Sequence, residues 1–460
     1  MISIIPKIEA IVGSKHISTA EEDLLCYAYD ATNRQVRPDA VVFPKNSGEV
    51  SAIIKLANRS RFFVTPRGAG TGMSGGALPV RGGVVMVMTR FNRILSIDAE
   101  NLVAEVEPGV ITGQFQEVVE KKALFYPPDP SSASYSTIGG NVAECAGGPR
   151  AVKYGVTRDY VLGLEVVLPT GEIIRTGVRT AKGVVGYDLT RLIVGSEGTL
   201  GVITKILLRL LPLPEAVHTM TAIFARIQDA ARAVCDIMRS GIIPRCIEYM
   251  DQAAIGCVED YLNIGLPRHA GGMLLIEVDG SLPEVEAASE QLKAICKKDG
   301  AYQTRGARSR QEAKELWKAR KAISPALFHL GQDKINEDIV VPRSRIPELI
   351  EWVDEVRRST GLTMVTFGHA GDGNIHFNIM LDRRDAETEK KAEATVEKLF
   401  RKTIALGGTI SGEHGVGISK APYIAMELSP FEIAIMKQIK DVFDPNGILN
   451  PGKIFPEVAV

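Results

Sequence analysis

The chain has 460 residues, of which 45% are apolar and 24% charged, and its formal net charge is −1. That length is comfortable for two or three domains of ~100–200 residues. The balance is that of an ordinary soluble globular protein, and with no basic block it gives no case for nucleic acid or an anionic membrane as partner. The N-terminus, MISIIPKIEAIVGSK, is a short apolar start broken by Pro6 and Lys7, unlike a signal or transit peptide. No run approaches the ~18–20 apolar residues of a membrane-spanning helix. The six cysteines are scattered and form no CxxC pair, so neither a disulfide framework nor an iron–sulfur cluster is expected. These features together point to a cytoplasmic location.

Up to Pro212–Pro214, short β-branched runs alternate with Gly/Pro turns: AVVFP, FFVTP, GVVMVM, LVAEVEPG, LGLEVVLPTGEIIRTG and LGVITKILLRLLP. PTG between two strand-like halves signals a hairpin. SGEVSAIIKLANRS repeats its apolar residues at helical spacing, with Ser47 as the expected N-cap. From about Glu215 to His269 the pattern reads helical, followed by a strand, MLLIEV, and an amphipathic helix that stops at Gly300. Strands around MVTFGH and IHFNIM and a helix in AETEKKAEATVEKLFRKTIALGG follow, which suits a sheet covered by helices on one face. The tail, DVFDPNGILNPGKIF, is turn-rich but ends apolar, and is expected to pack back on another domain. The fold class is α+β, with domains expected at 1–213 and 214–410 and a completing segment at 411–460.

Gly70, Gly72 and Gly75 satisfy G-x-G-x-x-G. The dinucleotide fingerprint needs a helix to open from the last glycine, but GALPVRGG and then a strand follow here. The loop must therefore join two strands. Its glycines suit a nest of backbone N–H groups around phosphate, to which Thr71 and Ser74 can add hydroxyls. PPDPSSASYSTIGGNVAECAGG offers rigid prolines, small residues and a helix start near Thr137–Gly140. Small residues there permit close approach to a flat ring and a pyrophosphate.

Six stretches in order, PRGAGTGMSGG, PPDPSS with IGGN, KYG with TRDYVLGLEVVLPTGE, GSEGTLGVIT, GHAGDGNIH with SGEHGVG, and DPNGILNPGKIF, carry a resemblance to a known family. They resemble the FAD-binding domain of the vanillyl-alcohol-oxidase superfamily (the PCMH type) and, further on, its 2-hydroxy-acid branch. That branch includes glycolate oxidase FAD subunits, D-lactate dehydrogenases and D-2-hydroxyglutarate dehydrogenase. The resemblance implies a PCMH-type FAD domain, an α/β substrate (cap) domain with an antiparallel sheet, and a C-terminal segment that packs back on the FAD domain. It implies FAD contacts from Pro66, Arg67, Gly68, Ala69, Gly70, Thr71, Gly72 and Ser74. It adds Pro128, Asp129, Ser132, Gly139, Gly140 and Asn141 along the flavin, Gly201, Val202 and Ile203 at the adenosine, and Asn450 from the tail. Relatives with covalent flavin often carry a histidine in the glycine loop. This loop has none, so non-covalent FAD is expected.

Of seven histidines, His16, His218 and His269 sit in polar or loop contexts, and His329 is ambiguous. In IHFNIM, Ile375, Phe377 and Ile379 share one face, and His376 and Asn378 the other. AGDGN makes the turn of a hairpin that brings His369 towards His376. It lacks the carboxylate series of a calcium loop. His369, His376 and Glu413 form a common set for a divalent metal, with zinc, manganese or iron all fitting. The resemblance makes these three the metal ligands and His414 the catalytic base. It makes Arg320, in ELWKARKAISPA, the arginine that binds the substrate carboxylate, with Ser324, Lys334 and Asn378 as further substrate contacts.

The expected activity is FAD-dependent oxidation of a small D-2-hydroxy acid, glycolate or D-lactate, with a D-2-hydroxyglutarate dehydrogenase as the alternative. Electrons are expected to leave through an iron–sulfur subunit, an electron-transferring flavoprotein or a quinone, the last placing the protein at a membrane only through a partner. Homo-oligomerisation stays open. Two readings of other classes remain: a metal-dependent hydrolase without flavin, and a non-catalytic FAD subunit of an electron-transfer complex.

Overall fold

The computed structural model describes residues 3–456, which divide into two compact units. One comprises residues up to Gly147, Val156–Leu213 and the segment from Glu413 on, and the other Gly148–Gly155 and Pro214–Gly412.

The first unit holds a four-stranded sheet, ordered Ile17–Ser18, Ala40–Val42, Val84–Val87, Val64–Arg67. Val64–Arg67 runs parallel to Val84–Val87, and the glycine loop joins them with no intervening helix, as its prolines and glycines require. The helix Ser47–Ser60 packs Ile53 and Ile54 against Val64, Val84 and Met86, and Ile448 and Leu449 from the returning tail join the same core. Its N-cap is Asn46 rather than the expected Ser47: Asn46 Oδ1 accepts from Glu49 N at 2.9 Å. The carboxamide one position earlier reaches the orphan N–H that a cap must satisfy, and Ser47 becomes the first helical residue. An antiparallel five-stranded sheet follows, ordered Ile94–Asp98, Val103–Val106, Val202–Arg209, Val161–Val167, Ile173–Gly177. The PTG hairpin closes where Leu168 N and Glu172 O bond at 2.8 Å, with Gly171 at φ +93°.

The second unit is built on one antiparallel seven-stranded sheet: β1 (Ala216–Phe224), β2 (Cys246–Asp251), β3 (Gly272–Gly280), β4 (Ala301–Gly306), β5 (Asp333–Val340), β6 (Thr363–His369) and β7 (Asn374–Leu381). The spatial order is β4-β1-β3-β2-β6-β7-β5. The helical reading of Glu215–His269 is therefore corrected by two strands, β1 and β2, which alternate there with the helices Ile227–Arg239 and Gln252–Leu262. Every residue of β2 is buried, so the strand lacks the apolar–polar alternation that would reveal it.

The sheet is covered on both faces, not one. Ala254, Ile255 and Val258 of the helix Gln252–Leu262, with Ala319 and Ile323, pack on Met250, Val365 and Phe367. On the other face Arg357, from the helix Ile346–Thr360, bonds Asp251 Oδ2 at 3.0 Å, and Thr366 Oγ1 bonds the same atom at 3.0 Å.

Candidate functional site: an anion cradle and a buried imidazole pair

In the first unit the glycine loop is shaped for a ligand rather than for its own hydrogen bonds. Among the described residues, the backbone N–H groups of Gly68 to Ser74 donate to no protein acceptor. Ser74 Oγ and Arg67 Nη1 are buried without a partner. Gly70 and Gly75 take φ of +71° and +85°, angles that turn successive N–H groups to one side. A Cβ at Gly70 would strike the Arg67 guanidinium. Burial also holds the Arg67 pKa below its ordinary value. Converging N–H groups, a hydroxyl and a guanidinium fit a pyrophosphate, the most strongly charged part of FAD.

The neighbouring segments brace this loop. Asn450, at φ +42°, donates from Nδ2 to Gly76 O at 2.9 Å and to Glu197 O at 2.7 Å. Glu197 in turn accepts Val416 N and Gly417 N, both at 2.7 Å, and Ile418 N donates to Ser74 O at 2.8 Å. The turn that follows Glu413 and His414 is thereby tied to the glycine loop within this unit. Thr137 caps the helix Ile138–Glu144 by accepting Gly140 N at 3.2 Å, so the expected helix start is in place. Asn141 Nδ2 bonds Thr112 Oγ1 at 2.7 Å, and Pro128 O accepts Gln116 Nε2 at 2.8 Å. Gly139 lies close against Pro108, and Gly201 against Val166. Val202 and Ile203 open the strand Val202–Arg209.

In the second unit, β6 and β7 form the expected hairpin, with Asp372 N bonding His369 O at 3.3 Å and Gly373 at φ +90°. Cross-strand pairing sets His369 beside Glu248 and His376 beside both Phe367 and Asp338, all on one sheet face. The two imidazoles lie edge to face with centroids 5.1 Å apart, and their Nε2 atoms stand 3.5 Å apart. Each Nδ1 looks at a carboxylate: His369 Nδ1 lies 2.6 Å from Glu248 Oε1, and His376 Nδ1 3.7 Å from Asp338 Oδ1.

That geometry tests the metal expectation. Two nitrogens ~2.0–2.1 Å from one ion at a tetrahedral angle stand roughly 3.3–3.4 Å apart, close to the spacing here. Metal-binding imidazoles also characteristically direct the second ring nitrogen at a carboxylate. Within this unit the pair meets the first condition, and His369, with Nδ1 2.6 Å from Glu248 Oε1, meets the second. Asp338 is itself held, by Asn374 Nδ2 at 2.5 Å and Gly412 N at 2.9 Å.

Arg320, at the end of the helix Arg310–Lys321, is buried beside this pair. Its Nη2 lies 2.6 Å from Glu248 Oε2, and its guanidinium carbon 4.9 Å from the centre of the Phe367 ring. The ion pair is poorly aligned for a hydrogen bond, so Arg320 Nε and Nη2 both lack a partner of proper angle. These two atoms form one edge of the guanidinium fork, the edge that binds a carboxylate with two parallel bonds. Lys334 Nζ donates to Ser324 Oγ at 2.8 Å, and burial holds its pKa below the ordinary lysine value. Asn378, fully buried, accepts Asn336 Nδ2 at 2.6 Å.

The sheet thus gathers His369, His376, Asn378 and Lys334 on one face, with Arg320 and Ser324 from the helices that cover it. His329 lies apart, its ring 5.7 Å from that of Tyr261. Sequence reading missed Glu248 and Asp338. The available signal for Glu248 was a carboxylate flanked by apolar residues in CIEYMD, a segment read as helix.

Two family models match the chain: "FAD binding domain" over residues 38–177 and "FAD linked oxidases, C-terminal domain" over 213–454. The chain is 47% identical to the glycolate oxidase subunit GlcD of Bacillus subtilis (strain 168), over 98% of this chain and 96% of that protein. It is 38% identical to a D-lactate dehydrogenase of Anaerostipes hadrus, over 96% and 95%. Among solved structures it superposes on p-cresol methylhydroxylase with a TM-score of 0.82 at 20% identity, covering 98% of this chain and 96% of that one, a likeness of fold. The chain belongs to the FAD-linked oxidases, flavin-dependent oxidoreductases, and within them to the 2-hydroxy-acid branch.

Proposed function

We propose that this protein is a dehydrogenase of a small D-2-hydroxy acid, D-lactate or glycolate, which it oxidises to the 2-oxo acid. The observation that carries the reading is the buried Arg320, with Nε unpartnered and Nη2 beside Glu248, next to a convergent imidazole pair. A buried guanidinium N–H such as Nε is costly to leave unmatched and is matched best by a carboxylate. The names of the similar glycolate oxidase subunit and D-lactate dehydrogenase agree with a small 2-hydroxy acid as the carboxylate's owner.

FAD, held non-covalently by the glycine loop, supplies when bound a two-electron acceptor for the hydrogen on the substrate Cα. A divalent cation held by His369, His376 and Glu413 would lower the pKa of the substrate hydroxyl. Gly412, which precedes Glu413 in the chain, is fixed through its N–H to Asp338. Arg320 clamps the substrate carboxylate. That clamp fixes the Cα–H direction and leaves the hydroxyl towards the imidazoles. His414 accepts the hydroxyl proton, a task suited to a neutral imidazole near pH 7. Asn378 and the Lys334–Ser324 pair line the same face and bind the remainder of the substrate. The proton and the hydride together leave the 2-oxo acid. Electrons then pass to a partner, an iron–sulfur subunit, an electron-transferring flavoprotein or a quinone.

The test is anaerobic bleaching of the flavin by a panel of D- and L-2-hydroxy acids. Bleaching by D-lactate or glycolate, with reoxidation by a dye far faster than by oxygen, supports the reading. A protein that purifies without flavin, or whose flavin no 2-hydroxy acid bleaches, overturns it.

A further inference from the structure

We propose that Glu248 is a positioning residue that holds the substrate-binding arginine and a metal-binding imidazole in one rigid unit. The inference rests on the reading of Arg320 and of the imidazole pair given above. Glu248 is 1% exposed on β2, and its two oxygens are used separately. Oε1 faces His369 Nδ1 at 2.6 Å, and Oε2 faces Arg320 Nη2 at 2.6 Å.

Each contact has a chemical consequence. A carboxylate only accepts, so the ring proton of His369 sits on Nδ1 and the Nε2 lone pair points at His376 Nε2. The same carboxylate sets where the guanidinium lies over the Phe367 ring, through Nη2, while leaving Nε without a partner. The substrate's carboxylate and its hydroxyl sit on adjacent carbons. An enzyme for such substrates needs its carboxylate anchor and its hydroxyl-facing ligands at a fixed separation, and Glu248 touches one of each. Asp338 lies opposite His376 in the corresponding place, with Oδ1 3.7 Å from Nδ1.

The test follows from the count of acceptors. In Glu248→Gln only one of the two side-chain termini accepts, so the NH2 group must face either the His369 N–H or the Arg320 guanidinium, donor against donor. Glu248→Asp keeps both acceptors but is too short to reach both groups at once. Metal content is read by elemental analysis after dialysis against graded chelator, alongside KM, kcat and bound flavin. E248Q should lose its metal at ~10–100-fold lower chelator and show KM raised at least tenfold, with flavin content unchanged. E248D should fall between E248Q and wild type on both readouts. If E248Q does not fold, E248D decides alone. Variants that hold metal as tightly as wild type, with KM within twofold, overturn the role of Glu248. Wild-type protein with no stoichiometric metal overturns instead the metal reading on which it rests.

Discussion

Arg320 and His414 divide the proposed chemistry between binding and proton transfer, and two substitutions separate them. Arg320→Lys keeps the charge but removes the planar fork. We expect kcat/KM to fall about 10²-fold, on the order of 2–3 kcal/mol, chiefly through KM and with FAD retained. A change of less than about threefold would show that the carboxylate is anchored elsewhere. His414→Ala should leave FAD bound yet abolish bleaching by hydroxy acid. Unchanged bleaching would remove His414 as the base. At this scale the pairing of His369 with His376 was legible, because strand parity marks which side chains share a face. Glu248 was not, since nothing in CIEYMD says that its carboxylate spans two partners until the strand pairing sets it opposite His369.

The glycine loop and its braces were legible as an element. Pro79 and Gly82–Gly83 forbid a helix after Gly75, and the loop joins two strands. Its strain is local: Gly70→Ala forces a side chain into a left-handed angle and against Arg67, so FAD should dissociate more readily, as gel filtration of the holoprotein would reveal. An Ala variant that retains flavin like wild type would remove the loop from cofactor binding. The brace was less legible. Asn450→Ala strips a buried donor from two carbonyls, Gly76 O and Glu197 O, and should cost about 2–4 kcal/mol by denaturant unfolding. A loss under about 0.5 kcal/mol would mean that water replaces the amide. The strand β2 escaped sequence reading for a reason at the same scale, since burial on both faces erases the alternation that marks a strand.

On the scale of the molecule, the chain forms two units, and the segment from Glu413 returns to the first of them. Among the described residues no helix is long and apolar enough to cross a membrane. The returning segment carries a buried lysine with a pH consequence. Burial lowers Lys453 from 10.5 to about 8, while its Nζ donates to Leu78 O at 2.6 Å. The folded state therefore binds this proton less tightly than the unfolded chain, and the stability Lys453 contributes is lost as pH falls through 8. Between pH 8 and 10.5 wild type should gain roughly 2–3 kcal/mol relative to Lys453→Met, measured by urea unfolding. A constant difference across that range would contradict the shift.

The central claim is that one face of the second unit's sheet binds a small D-2-hydroxy acid for oxidation by FAD with the help of a divalent metal. Anaerobic titration of the purified holoprotein with D-lactate, L-lactate and glycolate, before and after chelator treatment, tests it most directly. Bleaching is expected with D-lactate or glycolate but not with L-lactate, lost on chelation and restored by zinc, manganese or iron(II). Bleaching that is indifferent to chirality and to chelator, or absent with every acid, would contradict it.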